Sequence, residues 1–171
     1  MPKNKDLVIE VSPDNLRTVA LAAISGVRSM AAPALLTRAA ARGDLSGLRS
    51  TPFAILSDER VASLLQALMV GEMIGDKTPF IPSRTAAGPL FGRALSGALV
   101  GSALFASRGR TGLPGAVLGV ASALAGVYAV DRLRSAATQG LGLPDLLFGL
   151  LEDGVIILGG SRLLGEGSTD G

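Results

Sequence analysis

Glu72 and Asp76 stand four residues apart, which on a helix puts both carboxylates on one face, and Lys77 follows directly. Two carboxylates held close can share a proton or hold a cation, because neighbouring negative charges raise one pKa. The same pair can equally belong to an ion-pair network with Arg28, Arg93 or Arg134 that only ties helices together. Arg28 and Arg93 each sit among Ala, Ser and Gly inside an apolar stretch. A guanidinium in such a place is costly unless it meets a carboxylate, an anionic lipid group or a ligand. Glu152 and Asp153 are adjacent, so on a helix they point roughly 100° apart and at most one naturally faces a given partner. Arg28, Glu72, Asp76, Lys77, Arg93, Arg134 and Glu152 together make a candidate site for a small ion or polar solute.

Five apolar stretches of helical length must position these groups. The first helix is expected over about 15–41, started by Ser12-Pro13-Asp14 and kinked by Pro33, one turn past Arg28. A polar loop over 43–52 follows. The second helix starts at Ser57-Asp58-Glu59 and stops at Thr78-Pro79; its apolar part, 61–75, is about 22 Å long, short of the roughly 30 Å bilayer core. Short or broken spans point to binding sites in transporters; local thinning of the bilayer accounts for one equally well. After the Pro-rich turn 79–84, helices are expected over about 85–107, 113–137 and 143–164, with the Gly-rich tail 165–171 disordered.

Composition fits a lipid environment. Of 171 residues, 48% are hydrophobic and 18% charged, against about 25% charged in soluble domains, and mean hydropathy is +0.46. Aromatics are only 4%, with no Trp, too few for the usual interfacial belt. The net charge of +2 is scattered, so no nucleic-acid partner is expected. With no Cys and no His, disulfides, thiol chemistry and the commonest metal ligand and general base are all excluded. No cleavable signal peptide is expected before the first span, which would itself direct insertion.

Gly26-Val27-Arg28-Ser29-Met30-Ala31-Ala32 in the first helix resembles Asp131-Arg132-Leu133-Arg134-Ser135-Ala136-Ala137 in the fourth, and each is followed by a Leu-rich helix with carboxylates. Helices one–two and four–five are three spans apart, so as repeats they would be inverted. With Arg28 and Arg93 inside the bilayer, the remaining Lys and Arg divide seven against seven between the two sides, so orientation stays undecided; setting Arg132 and Arg134 partly inside makes it five against seven, with the N-terminus outside.

Small residues at four-residue spacing form strips suited to close backbone approach: Gly88, Gly92 and Ser96, then Gly97 and Gly101, in the third helix, and Gly115 and Gly119 in the fourth. They are expected to pack helices within or between copies of the chain. There is no HExxH, GxSxG or P-loop, so no enzyme, no catalytic residue, no cofactor and no metal site are expected.

Gly26-Val27-Arg28-Ser29, Glu72-x-x-x-Asp76-Lys77-x-Pro79, Pro82 and the Gly88-Pro89 helix start resemble small bacterial membrane proteins grouped as domain of unknown function 4126. The resemblance covers roughly 15–160. It implies a membrane location, with Arg28, Glu72, Asp76 and Lys77 as typical polar positions, and no activity.

The expected fold is thus all-α: a polytopic transmembrane bundle of about five helices with inverted repeats and broken spans. It has a polar segment 1–14, one transmembrane helical domain 15–164 and the tail. The expected function is binding or movement of a small ion or polar solute at a charged midplane site in a bacterial inner membrane. The competing expectation is a non-transporting scaffold with internally paired charges. The partners expected are the lipid bilayer, such a solute and a second copy of the chain.

Overall fold

The computed structural model describes residues 12–75, 86–140 and 144–165, and every regular element among them is helical. The polar segment before Ser12, Asp76 and Lys77 with the Pro-rich turn after them, most of the breaker run before Pro144, and the tail after Gly165 lie outside the described residues. Six α-helices are present among those described, because the expected first helix is two.

Helix α1 spans Pro13–Val27. The Ser12 hydroxyl accepts from the Asn15 N–H at 3.2 Å, and Pro13 fills a first-turn position that needs no intrahelical acceptor. At Arg28 the backbone becomes extended (φ −138°, ψ 117°), turns through Ser29 and Met30, and re-enters a helix, α2, over Ala31–Arg42. The expected kink at Pro33 is therefore incorrect. The chain breaks one turn earlier, and Pro33 falls in the first turn of α2, where its missing N–H removes no hydrogen bond. Helix α2 ends at Gly43, whose φ of 93° suits glycine and lets its N–H reach the Ala39 and Ala40 carbonyls.

The chain reverses at the break. Ser25 and Ser29 meet Ser96, midway along α4 (Ala87–Ser107). The start of α1 and the segment after α2 both meet the far end of α4. There Arg108 donates to the Asp14 carbonyl and to Thr18 Oγ1, and Gly47 lies against the Ser107 carbonyl. So α1 and α2 form a helical hairpin with its tip at 28–30. The tip sits about 14–16 Å from either end of α4. Helix α2 is Ala-rich and thin, and Ala31, Ala32, Leu36, Ala39 and Ala40 are wholly buried as neighbours close around it.

The expected polar loop over 43–52 carries instead two short 3-10 turns, Ser46–Ser50 and Ala54–Ser57, which insert Leu48 and Leu56 into an apolar core with Leu21, Leu36, Val100 and Leu104. Helix α3, Glu59–Gly75, then runs back along α2, with Gln66 beside Arg38 and Glu72 beside the tip. Helices α4 and α5 (Gly112–Gly140) pair antiparallel. Gly97 faces Gly119 and Gly101 faces Gly115 so closely that a methyl on any of the four would overlap the opposite backbone. Gly26 and Gly126 bring α1 equally close to α5. Gly88 and Gly92 have open space around them among the described residues, so they pack no helix within that part of the chain. Helix α6, Asp145–Gly165, returns beside the hairpin, with Gly160 against Leu35 and Ile24.

Polarity is turned inside out on α6. Leu147, Leu150, Leu151, Val155 and Leu158 are exposed while Glu152 and Asp153 are buried. Helices α4 and α5 are long and apolar enough to cross a membrane. The expected repeat finds no support in the backbone, since the helix breaks at Arg28 whereas Arg134 lies within the continuous α5.

The hairpin also redistributes charge. Arg17, Arg38, Arg42, Arg49, Arg60, Arg108, Arg110 and Arg162 gather at the end of the molecule opposite the tip's reach. Arg132 and Arg134 lie at the other, eight against two among the described residues. Burial pushes the Arg108 guanidinium below its ordinary pKa, opposed by Asp14 and reinforced by Arg110 and Arg17.

Candidate functional site

The hairpin tip ends one helix and starts another in the interior, so its backbone groups need partners. The Arg28 N–H and carbonyl are satisfied within the hairpin, by the Ile24 carbonyl and the Ala31 N–H, and α3 and α4 supply the partners of Ser29 and Met30. Met30, at the start of α2, makes no side-chain cap of its own. Glu72 of α3 takes that role: one carboxylate oxygen accepts from both the N–H and the hydroxyl of Ser29, and the other from the N–H of Met30, all at 2.8 Å. The negative side chain thus meets the positive end of the α2 dipole. At the carbonyl end of α1, Ser96 Oγ donates to the Ser29 carbonyl and lies 3.1 Å from Ser25 Oγ, from which it can accept.

Arg28 is 1% exposed. Its Nε lies 2.8 Å and its Nη2 2.7 Å from Asp153 Oδ1 on α6. Buried charges in so dry a place survive only when paired and hydrogen-bonded. Arg28 thus meets a carboxylate other than Glu72, whose own carboxylate caps the α2 N-terminus.

Arg93 lies on α4 one turn before Gly97 and is buried, as is Glu152 beside Asp153. Arg134 is half-buried on α5, about 12 Å along the helix from the Gly126 contact with α1. Asp76 and Lys77 fall outside the described residues. Among those described, no three His, Cys, Asp or Glu side chains converge to hold a metal ion.

Below the tip a cavity of about 450 Å³ separates α2, α3 and α6. Arg42 and Arg38, Gln66, and Leu164 and Ser161 line its lower part, and Ala34, Met69 and Ile157 its upper part. Ala34, Met69 and Ile157 are each about one turn from Met30, Glu72 and Asp153 respectively, so the cavity stops just short of the tip.

A family model described as a domain of unknown function, DUF4126, matches residues 16–161. The chain belongs to the DUF4126 family. No curated protein and no solved structure matches it. The match takes in both halves of the hairpin and every helix that supplies the tip, so this DUF4126 domain and the structural unit coincide.

Asp153, Ser96 and Arg38 were not among the site residues the sequence suggested. All the buried positions of α6 but Glu152 (Gly149, Asp153, Ile156, Gly160 and Leu164) recur at three and four residues, a stripe that includes Asp153. Ser96 was visible only as a member of a small-residue strip. No local signal marks Arg38.

Proposed function

We propose that this protein is embedded in a membrane and binds or moves a small ion or polar solute at the hairpin tip. The observation that carries this reading is the re-entrant hairpin itself. Non-helical backbone at mid-depth, held by side chains from three other helices, is the arrangement found where transporters handle solutes. The cavity leading to within one turn of the tip supplies an approach from the arginine-rich end. Closing the tip are two separable contacts, Glu72 on the α2 N-terminus and Arg28 on Asp153. Passage requires at least one of them to open. The excess of arginine at one end among the described residues supports that end as the cytoplasmic one, in what we propose is a bacterial plasma membrane.

The test is flux in proteoliposomes, screened over protons, cations and small anions, for wild type and Glu72→Gln. A solute-dependent signal lost in the folded, inserted variant supports the reading. The chain contains no Cys, so Ser29→Cys is a clean reporter; its labelling by a membrane-impermeant thiol reagent would show that water reaches the tip.

A second reading, a non-transporting scaffold, is favoured by the near-complete burial of Arg28 and its pairing with Asp153. No flux with any solute, together with an unlabelled Ser29→Cys, selects it.

A further inference from the structure

The cavity between α2, α3 and α6 has a chemistry of its own. Its lower part carries two guanidinium groups, and its upper part is Ala, Met, Leu and Ile surface. Arg42 is engaged by Asp44, at 3.1 Å. Among the described residues, Arg38 has one hydrogen bond, a long one of 3.5 Å to Gln66 Oε1, and no ion pair. A guanidinium with donors to spare, at the polar end of an otherwise apolar cavity, matches an anion with an apolar tail. The volume lies within the range of ordinary small-molecule sites, about 300–1,000 Å³.

Resting on the membrane-embedded reading above, we infer that this cavity binds an amphipathic anion, with a phosphate or carboxylate head on Arg38 and Arg42 and its chain running toward Met69 and Ile157. Gln66 Oε1 holds Arg38 in place, and Ser161 offers a further donor at the mouth. The head can belong to a membrane phospholipid or to a soluble organic anion; both present the same group to the same arginines.

The test is equilibrium binding, which requires no flux and so stands or falls separately from transport. Purified protein in a neutral detergent is titrated with dodecyl phosphate and followed by native mass spectrometry, with dodecanol and inorganic phosphate as the head-free and tail-free probes. Expected is saturable binding of one dodecyl phosphate per chain, weakened about tenfold or more by Arg38→Gln and by Met69→Trp, and unchanged by Arg49→Gln, an exposed arginine at the same end. Thermal melts followed by circular dichroism confirm that each variant is folded. Competition by phosphatidylglycerol identifies a lipid head as the source; competition by butyl phosphate without competition by phosphatidylglycerol identifies a soluble anion. Equal binding of dodecanol, or wild-type affinity in a folded Arg38→Gln, overturns the inference. A protein that washes off membranes in alkaline carbonate instead overturns the membrane reading on which it rests.

Discussion

Arg28 directs both Nε and Nη2 at a single oxygen of Asp153, at 2.8 and 2.7 Å, joining residues 125 positions apart in the chain. The contact ties the hairpin tip to α6, an otherwise lightly packed helix that buries few apolar side chains. Removing one partner takes this contact from the other inside the protein. Arg28→Met and Asp153→Leu should each cost about 3–5 kcal/mol, and the Arg28→Met/Asp153→Leu double variant should cost clearly less than the two single changes added together. Thermal melts in detergent, combined as a double-mutant cycle, measure this. Additive losses would mean that the pair is not coupled.

Glu72 holds the start of α2 through three hydrogen bonds to two residues. Glu72→Ala should cost about 3 kcal/mol, and Glu72→Gln less, since an amide oxygen can still accept from one N–H. Hydrogen exchange at the Ser29 and Met30 amides should speed up in both, more in Glu72→Ala, while the α4–α5 pair stays protected. Unchanged exchange at those amides would rule out the capping role.

The four glycines between α4 and α5 differ from their neighbours on the same helix. Gly101→Leu and Gly119→Leu should prevent folding or assembly, because the opposite backbone occupies the space a side chain needs. Gly88→Leu and Gly92→Leu should leave the melting temperature within a few degrees of wild type. Wild-type behaviour of Gly101→Leu would show that the two helices do not meet there.

The hairpin predicts topology. Ser50 lies at the arginine-rich end and Gln139 at the opposite end of α5. Ser50→Cys should be labelled from the cytoplasmic side only and Gln139→Cys from the other side only. Labelling of both from one side would contradict the arrangement.

Helix positions were largely legible in the sequence. Ser12-Pro13 marked the start of α1, and the expected 85–107 and 143–164 lie within two residues of Ala87–Ser107 and Asp145–Gly165. Apolar stretches bounded by Pro, Gly and polar residues carry that information locally. The reversal at 28–30 was not legible, since it depends on acceptors and donors arriving from Glu72, Ser96 and Asp153, far away in the chain. Two local cues were present: Ser29 and Pro33 together resemble a helix start more than a kink. Treating α1 and α2 as one span also put Arg17 and Arg38 on opposite sides. That error produced the even charge count; folding the pair back removes it. Of the polar groups, burial of Arg28, Arg93 and Glu152 could be anticipated from their apolar surroundings, but not which carboxylate Arg28 would choose.

Ribosomes make about 5–20 residues per second, so the 125 residues separating Arg28 from Asp153 take roughly 6–25 s to emerge. Throughout that interval the guanidinium lacks the contact that joins the hairpin tip to α6. The tip and α6 can therefore be tied together only after the four described helices between them have been made. Completion of the hairpin's packing is thereby deferred to α6: a chain truncated before Asp145 would lose the carboxylate that ties its first two helices to the sixth.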